Sequence, residues 1–188
     1  MGGDRLDAGS LSRNDVMAVL RIAKSQTVLG MVANEVIKTS SLSALLTDED
    51  KAGLKRFVMS NLATGQMLNN ALVNIVQELR KHEINPVLLK GQGIAKYYSV
   101  PELRQCGDIG IYVGQEKFAK ACEIIGAIST PEDHQGDIPS LKHYHTRIGH
   151  AFIEIHRYTD VYWPKRYDRV YQEISEQVCI RIWCRWIL

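Results

Sequence analysis

Three short segments in the second half of the chain carry side chains that could bind or process a charged ligand. The first is the turn Lys90-Gly91-Gln92-Gly93, which follows a short apolar run. Its glycines let an anion approach the backbone, free amides at a helix start attract that anion, and the lysine adds a positive charge. Because the turn lacks the residue pattern of a P-loop, a tight turn that merely needs glycine is the competing interpretation.

The other two segments place acidic side chains on predicted strands. Asp108 opens an alternating apolar strand, where it could serve a ligand site or simply cap a turn. Glu154 and His156 lie two residues apart, so on a strand they share one face while the neighbouring isoleucines occupy the other. A glutamate and a histidine directed to one side of an apolar strand indicate a site.

The histidines of the predicted hairpin suggest a metal site at first sight. His143 and His145 share one strand face, and His150 and His156 follow in the sequence. Their spacing offers no clear third and fourth ligand of the kind that zinc sites use. We therefore interpret them as solvent-facing residues of a hairpin.

Hydrophobic periodicity predicts the scaffold that positions these segments. In residues 1–83, apolar positions at three- and four-residue steps predict one helix from Asn14 to about Met31, prolonged to Lys38. They predict a second helix from Thr47 to about His82, with carboxylates in its first turn. Gly65 lies inside this second helix and marks either a kink or a break. A helical bundle that supports another part of the chain is the simplest interpretation of this region.

From residue 84 the pattern changes to short strands and helices. The predicted strands are 87–89, 108–113, 142–148 and 151–157, the last two joined in a hairpin near Gly149-His150. The predicted helices are 94–99, 115–125 and 165–178, and residues 129–140 form a loop. The last ten residues alternate apolar and cationic side chains, which predicts either an edge strand or the stub of a chain meant to continue.

Composition excludes several classes of protein. A chain of 188 residues, 45% apolar and 23% charged, is typical of one globular domain with at most a small helical appendage. Its net charge of +2 does not indicate a nucleic-acid partner. The sequence has no membrane-spanning stretch, signal peptide or myristoylation site. Its four cysteines form no CxxC pair and indicate reduced thiols, so we expect a cytoplasmic protein without a membrane partner.

Taken together, the motifs resemble the uncharacterised nucleotidyltransferase family of the polymerase-β-like superfamily. That family has an LKG turn, a tyrosine-bearing helix, a P-x-L-R step, a GDIDLLV strand and a late E-[LI]-H strand. The resemblance extends over about residues 14–175, and the matching segments are Pro86–Gly91, Ala95–Tyr98, Pro101–Arg104, Gly107–Ile109 and Ile153–His156.

The resemblance implies an α+β fold with an N-terminal helical region at 1–83, a nucleotidyltransferase-like α/β core with a small mixed sheet and flanking helices at 84–178, and an atypical tail at 179–188. It also implies metal-dependent transfer of a nucleotidyl group from an NTP to an unknown hydroxyl acceptor, with Mg²⁺ or Mn²⁺ as cofactor. Matching positions give the expected roles: Asp108 and Glu154 as catalytic, metal-binding acids, Lys90, Gly91 and Arg104 as nucleotide-binding residues, and His156 as a partner of the metal ligands or a substrate contact.

One decisive position departs from the family pattern. Gly110 stands where the family has the second aspartate of its Asp-x-Asp strand, so a carboxylate shared by the two metals is missing. We therefore expect impaired catalysis, and the alternative is an inactive nucleotide-binding or protein-interaction module that retains the fold. This departure, together with the unusual last ten residues, also suggests a truncated or degenerate family member.

Overall fold

The computed structural model describes residues 10–131, 142–160 and 164–183, with the side chains of the last helix described as far as Val178. The described elements combine helices with a mixed sheet, which confirms the predicted α+β class. In chain order they are α1 (Arg13–Ser25), α2 (Leu29–Lys38), α3 (Ser40–Ser43), α4 (Asp48–Lys81), β1 (Val87–Leu89), α5 (Gly91–Ala95), a 3₁₀ turn (Pro101–Leu103), β2 (Asp108–Tyr112), α6 (Phe118–Gly126), β3 (Thr130–Pro131), β4 (His143–Ile148), β5 (Ala151–His156) and α7 (Lys165–Trp183).

The described residues divide into two compact units. The first contains the residues up to Gln66 together with Ala95–Gln105, and the second contains Met67–Ile94 together with the residues from Cys106 onward. The long helix α4 therefore contributes to both units. The predicted boundary between an N-terminal helical region (1–83) and an α/β core (84–178) stays a prediction.

In the first unit, the single helix predicted from Asn14 to Lys38 is wrong. Helix α1 begins with a capping box, in which Ser12 N–H donates to Asp15 (2.8 Å) and Asp15 N–H donates back to the Ser12 hydroxyl (3.3 Å). It ends at Ser25, and Thr27 adopts a left-handed φ of 55° before α2 begins. This turn lets both helices bury their apolar stripes in one core, formed by Val16, Leu20, Ala23, Leu29, Ala33, Val36, Leu46, Val58 and Leu103.

Helix α4 begins where the sequence predicts and runs through Gly65 without a break. Thr47 and Asp50 form its N-terminal cap, with Asp50 N–H donating to the Thr47 hydroxyl at 3.1 Å. A Cβ atom at Gly65 would lie 2.5 Å from the Glu102 carbonyl oxygen and 2.9 Å from its Cα. Glycine is therefore required here because the backbone of the 3₁₀ turn approaches the helix closely.

We expect Gly65→Ala to destabilise the protein although alanine is the better helix former. The Cβ would meet backbone atoms, which cannot rotate away, so we expect a loss of roughly 1–3 kcal/mol in the free energy of unfolding. Gly53 lies in the same helix with open space around its Cβ position, and Gly53→Ala should stabilise by roughly 0.5–1 kcal/mol. Denaturant unfolding of both variants checks the opposite signs; equal effects would contradict the close approach.

The second unit is built on a five-stranded sheet within the described residues, in the order β1-β2-β5-β4-β3. Strands β2 and β5 are parallel, and the other neighbours are antiparallel. One face of the sheet is apolar, because alternating residues of β2 and β5 project onto α6 and the second half of α4. The fully buried residues of this core include Ile75, Leu79, Ile109, Ile111, Phe118, Ile125, Ile153 and Ile155.

Several predicted boundaries in this half are corrected by the structure. The helix predicted at 94–99 instead spans Gly91–Ala95, because Gly93 and Ile94 N–H already donate to the Lys90 carbonyl. Helix α6 starts at Phe118 rather than 115, and Thr130 and Pro131, predicted in a loop, pair with β4. The backbone of α7 stays helical to Trp183, so an edge strand at 179–183 is wrong; residues 132–141 and 184–188 lie outside the described residues.

None of the described helices combines the length and the hydropathy that a membrane span requires.

Candidate functional site

The second face of the sheet carries most of the residues that the sequence singled out. Gly110 of β2 pairs with Glu154 of the parallel strand β5 on one side and with Leu89 of β1 on the other. Asp108 lies two residues before Gly110 and is exposed at the start of β2. Because residues at i and i+2 share a face, Asp108 and Glu154 project to the same side, about one strand period (~6.6 Å) apart along the sheet.

Glu154 is surrounded by imidazole rings. Its Oε1 atom lies 3.0 Å from His145 Nε2 and 3.3 Å from His143 Nδ1, and its Oε2 atom lies 3.0 Å from His156 Nε2. The rings of His143 and His156 have centroids 4.5 Å apart. Three imidazoles from two strands thus converge on one carboxylate.

The pKa shifts in this cluster follow from burial and from the neighbouring charges. Burial alone would raise the pKa of Glu154, but the hydrogen bond with His145 and the positive charge available on the imidazoles outweigh it, so the pKa lies below its ordinary value. Burial lowers the pKa of His156, and the attraction of Glu154 offsets this only in part. An ionised carboxylate only accepts hydrogen bonds, so His156 Nε2 donates to Glu154 Oε2 across their 3.0 Å contact.

The Lys90-Gly91 turn lies beside this face. Lys90 is exposed and has a left-handed φ of 52°, and the Cβ position of Gly91 is 3.6 Å from the Asp108 carbonyl oxygen. The Lys90 charge also contributes to lowering the pKa of His156, which places it within electrostatic reach of that ring. A lysine in a conformation that favours glycine is strained, and such strain is commonly found at functional positions.

Gly110 leaves space that His156 partly fills. A Cβ atom at residue 110 would lie 3.4 Å from His156 Nε2 and 3.6 Å from the Leu89 carbonyl oxygen, which is ordinary van der Waals contact. The side chain of an aspartate at this position would therefore start beside His156, on the Glu154 side of the sheet. No backbone clash prevents it.

Arg104 belongs to the other compact unit, where it follows the 3₁₀ turn and its N–H donates to the Pro101 carbonyl. The second unit accordingly brings together Lys90, Gly91, Asp108, Glu154 and His156. The expected contact of Arg104 with a nucleotide stays a prediction.

Among the described residues, His143, His145 and Glu154 have the geometry to hold a metal ion, since their ligand atoms all lie within 4.8 Å of one another. The interpretation of these histidines as solvent-facing residues of a hairpin misses this arrangement, in which Glu154 supplies the third ligand. A hairpin turning at Gly149-His150 places His145 opposite Glu154 and His143 opposite His156. The turn predicted at Gly149-His150 already fixes this register. Pairing the two strands residue by residue outward from that turn places His145 opposite Glu154, so the cluster could have been found from the sequence.

The residues do not complete the pair of Mg²⁺ sites that the resemblance implies. Mg²⁺ requires near-octahedral oxygen ligands, and this face offers the carboxylates of Asp108 and Glu154 but none at Gly110. Both oxygens of Glu154 already contact imidazole nitrogens. Asp108 is not part of the described ligand cluster of His143, His145 and Glu154.

Comparison with known proteins gives one family match. The model of the family described as uncharacterised nucleotidyltransferase matches residues 12–182, nearly the whole chain. No curated protein and no solved structure matches the chain.

Proposed function

Because this chain belongs to the uncharacterised nucleotidyltransferase family, we propose that it binds an NTP on the polar face of its sheet and transfers the nucleotidyl group, with strongly reduced efficiency, to a hydroxyl acceptor. The observation that carries the proposal is the register of β2 and β5. This register brings Asp108 and Glu154 to one face, beside the Lys90-Gly91 turn. The three segments also follow one another along the chain in the order of the family motifs.

Each residue has a role that its position supports. Lys90 neutralises phosphate charge as an exposed cation at a turn, and Gly91 keeps that turn clear of side-chain bulk. Asp108 and Glu154 hold a divalent ion, Mg²⁺ or Mn²⁺, which when bound supplies charge neutralisation for the triphosphate and the attacking oxygen. His156 orients Glu154 through the contact at Oε2. Arg104 is retained as a further candidate for the triphosphate.

Gly110 is the reason for the reduced efficiency. The missing carboxylate removes a ligand and a negative charge that would offset the cations around a triphosphate. If two metals are needed, the loss amounts to several kcal/mol, and each ~1.4 kcal/mol corresponds to about a tenfold change in rate.

The second candidate function is an inactive nucleotide-binding or protein-interaction module. Gly110 favours this function, because His156 Nε2 lies against the space where the side chain of the second aspartate would begin. Nucleotide binding without turnover would distinguish this module from the impaired enzyme.

Titration calorimetry with each of the four NTPs, with and without Mg²⁺, tests the proposed function directly. Metal-dependent binding supports the site on the sheet face and justifies a search for the acceptor. Flat traces for the folded protein would contradict nucleotide binding and leave the fold as evidence of ancestry alone.

We expect Lys90→Gly to stabilise the protein and to weaken NTP binding at the same time. Glycine relieves the left-handed strain, worth roughly 1–2 kcal/mol, while removal of the ammonium group should reduce affinity about tenfold. Glu83 has a similar φ of 59° at the end of α4, so Glu83→Gly is the matched control. It should give a comparable rise in melting temperature and unchanged NTP affinity; reduced NTP binding in both variants would argue against a role for Lys90.

The proposed setting is a reducing compartment such as the cytoplasm. The Cys106 thiol donates to Gln92 Oε1 at 3.2 Å, and burial raises the pKa of the Cys122 thiol to about 12, which makes it unreactive. Structural thiols of this kind persist where disulfides are rare.

A further inference from the structure

We infer that His143, His145 and Glu154 form a binding site for a first-row transition-metal ion of the Zn²⁺ type, with His156 orienting the carboxylate. The inference goes beyond the proposed function because it requires no nucleotide. It shares Glu154 with the proposed function, but its other two ligands come from β4, whereas Asp108 and Lys90 lie on the far side of β5.

The spacing of the ligand atoms supports the site. Ligands at Zn–N and Zn–O distances of about 2.0–2.1 Å in a tetrahedral arrangement lie about 3.3 Å from one another. Glu154 Oε1 lies 3.0 Å from His145 Nε2 and 3.3 Å from His143 Nδ1. An ion could therefore be accommodated with a small adjustment of side chains that are already on one face of two paired strands.

The chemistry of the ligands selects the kind of metal. Two imidazoles and one carboxylate suit Zn²⁺, Co²⁺ and related ions, whereas Mg²⁺ prefers oxygen ligands throughout. Three protein ligands leave a fourth position for water or a substrate, as in catalytic zinc sites. The side chains of His143 and His145 are 39% and 41% exposed, so an ion can enter from solvent.

The surroundings of the carboxylate resemble those of protein metal sites. The side chain of His156 is 14% exposed, and its Nε2 lies 3.0 Å from Glu154 Oε2, whereas the other two histidines contact Oε1. An outer partner of this kind fixes the orientation of a ligand and typically changes metal affinity about 10–100-fold.

The test uses the untagged 188-residue chain, stripped of metal with a chelator and titrated with Co²⁺ and then Zn²⁺ without nucleotide. We expect one equivalent of Co²⁺ to bind with the visible spectrum of a low-coordinate nitrogen–oxygen site, and Zn²⁺ to displace it. Zn²⁺ should bind at least ~100-fold more tightly than Mg²⁺. A spectrum with thiolate charge-transfer bands, or no bound Co²⁺, would overturn the inference.

Variants identify the ligands. We expect His156→Ala to lower the Co²⁺ affinity about 10–100-fold, because His156 orients the ligand Glu154 without binding the ion. His143→Ala, His145→Ala and Glu154→Gln each remove a ligand and should lower the Co²⁺ affinity by more than that. His150→Ala is the control, because His150 is exposed on the turn of the same hairpin. This variant should bind Co²⁺ as tightly as the natural chain does. Binding that survives His143→Ala and His145→Ala would refute the site.

Two further controls keep the result decisive. Circular dichroism excludes unfolding of the variants, and if Glu154→Gln fails to fold, the histidine variants and the spectrum of the natural chain decide the question. Because no nucleotide is present, failure of metal binding leaves the NTP proposal standing, and failure of NTP binding leaves this site standing.

Discussion

Gly110→Asp should raise Mg²⁺-dependent turnover of an NTP by at least ~100-fold, since each ~1.4 kcal/mol of transition-state stabilisation gives about a tenfold change. The substitution adds the carboxylate that the family pattern has at this position. The structure permits it, because the new Cβ would be 3.4 Å or more from its nearest neighbours and Gly110 does not have a left-handed φ.

The position of the added carboxylate makes the prediction specific. It would start beside His156 and opposite Glu154, between the two acids that the chain retains. A negative charge there should also raise the pKa of His156, because it favours the protonated ring. Histidine NMR titration of the variant measures this second effect independently of turnover.

Gly110→Asn is the matched control, because it adds nearly the same volume without the charge. We expect it to leave turnover at the level of the natural chain. Equal turnover in Gly110→Asp, Gly110→Asn and the natural chain, with all three folded and metal binding unchanged, would show that the site is assigned to the wrong residues.

Asp108→Asn should abolish the turnover that remains, both in the natural chain and in the Gly110→Asp background. Asp108 supplies the first carboxylate of the strand, and an amide carries no negative charge to hold a divalent ion against the triphosphate. Its exposed position at the start of β2 means that the substitution should change the free energy of unfolding by less than ~0.5 kcal/mol. The measurement is pyrophosphate release over time with each NTP.

The control for this second prediction is Glu123→Gln, which removes one carboxylate from the exposed side of α6. It should leave turnover unchanged. Loss of turnover in Glu123→Gln as well would point to an effect of net charge, and persistence of turnover in Asp108→Asn would refute the assigned role of Asp108.

Much of the candidate site could be predicted from the sequence because its determinants are local. Asp108 starts an alternating strand, and Glu154 and His156 share a face by their two-residue spacing, whatever the rest of the chain does. The strand predicted at 87–89 and the start of α4 are confirmed for the same reason, and the strand predicted at 151–157 is confirmed as far as His156. The order of these motifs was also sufficient to predict the family.

Other features depend on contacts between residues far apart in the sequence. The periodicity from Asn14 to Lys38 is helical on both sides of Thr27, so it could not show that the chain turns back to bury both apolar stripes. Gly65 resembles a helix breaker until Glu102, distant in the sequence, is found packed against it.

The sequence by itself determined that Asp108, Glu154 and His156 lie on strands, that Glu154 and His156 share a face, and that Gly110 stands where the family pattern has an acid. Tertiary structure alone decided what surrounds Glu154, because strand pairing brings His143 and His145 from β4 within 3.3 Å of a carboxylate on β5. Hydrophobic periodicity is a property of one segment, whereas a ligand cluster is a property of the register between segments. That register converts two histidines, each unremarkable in its own strand, into part of a metal-binding geometry.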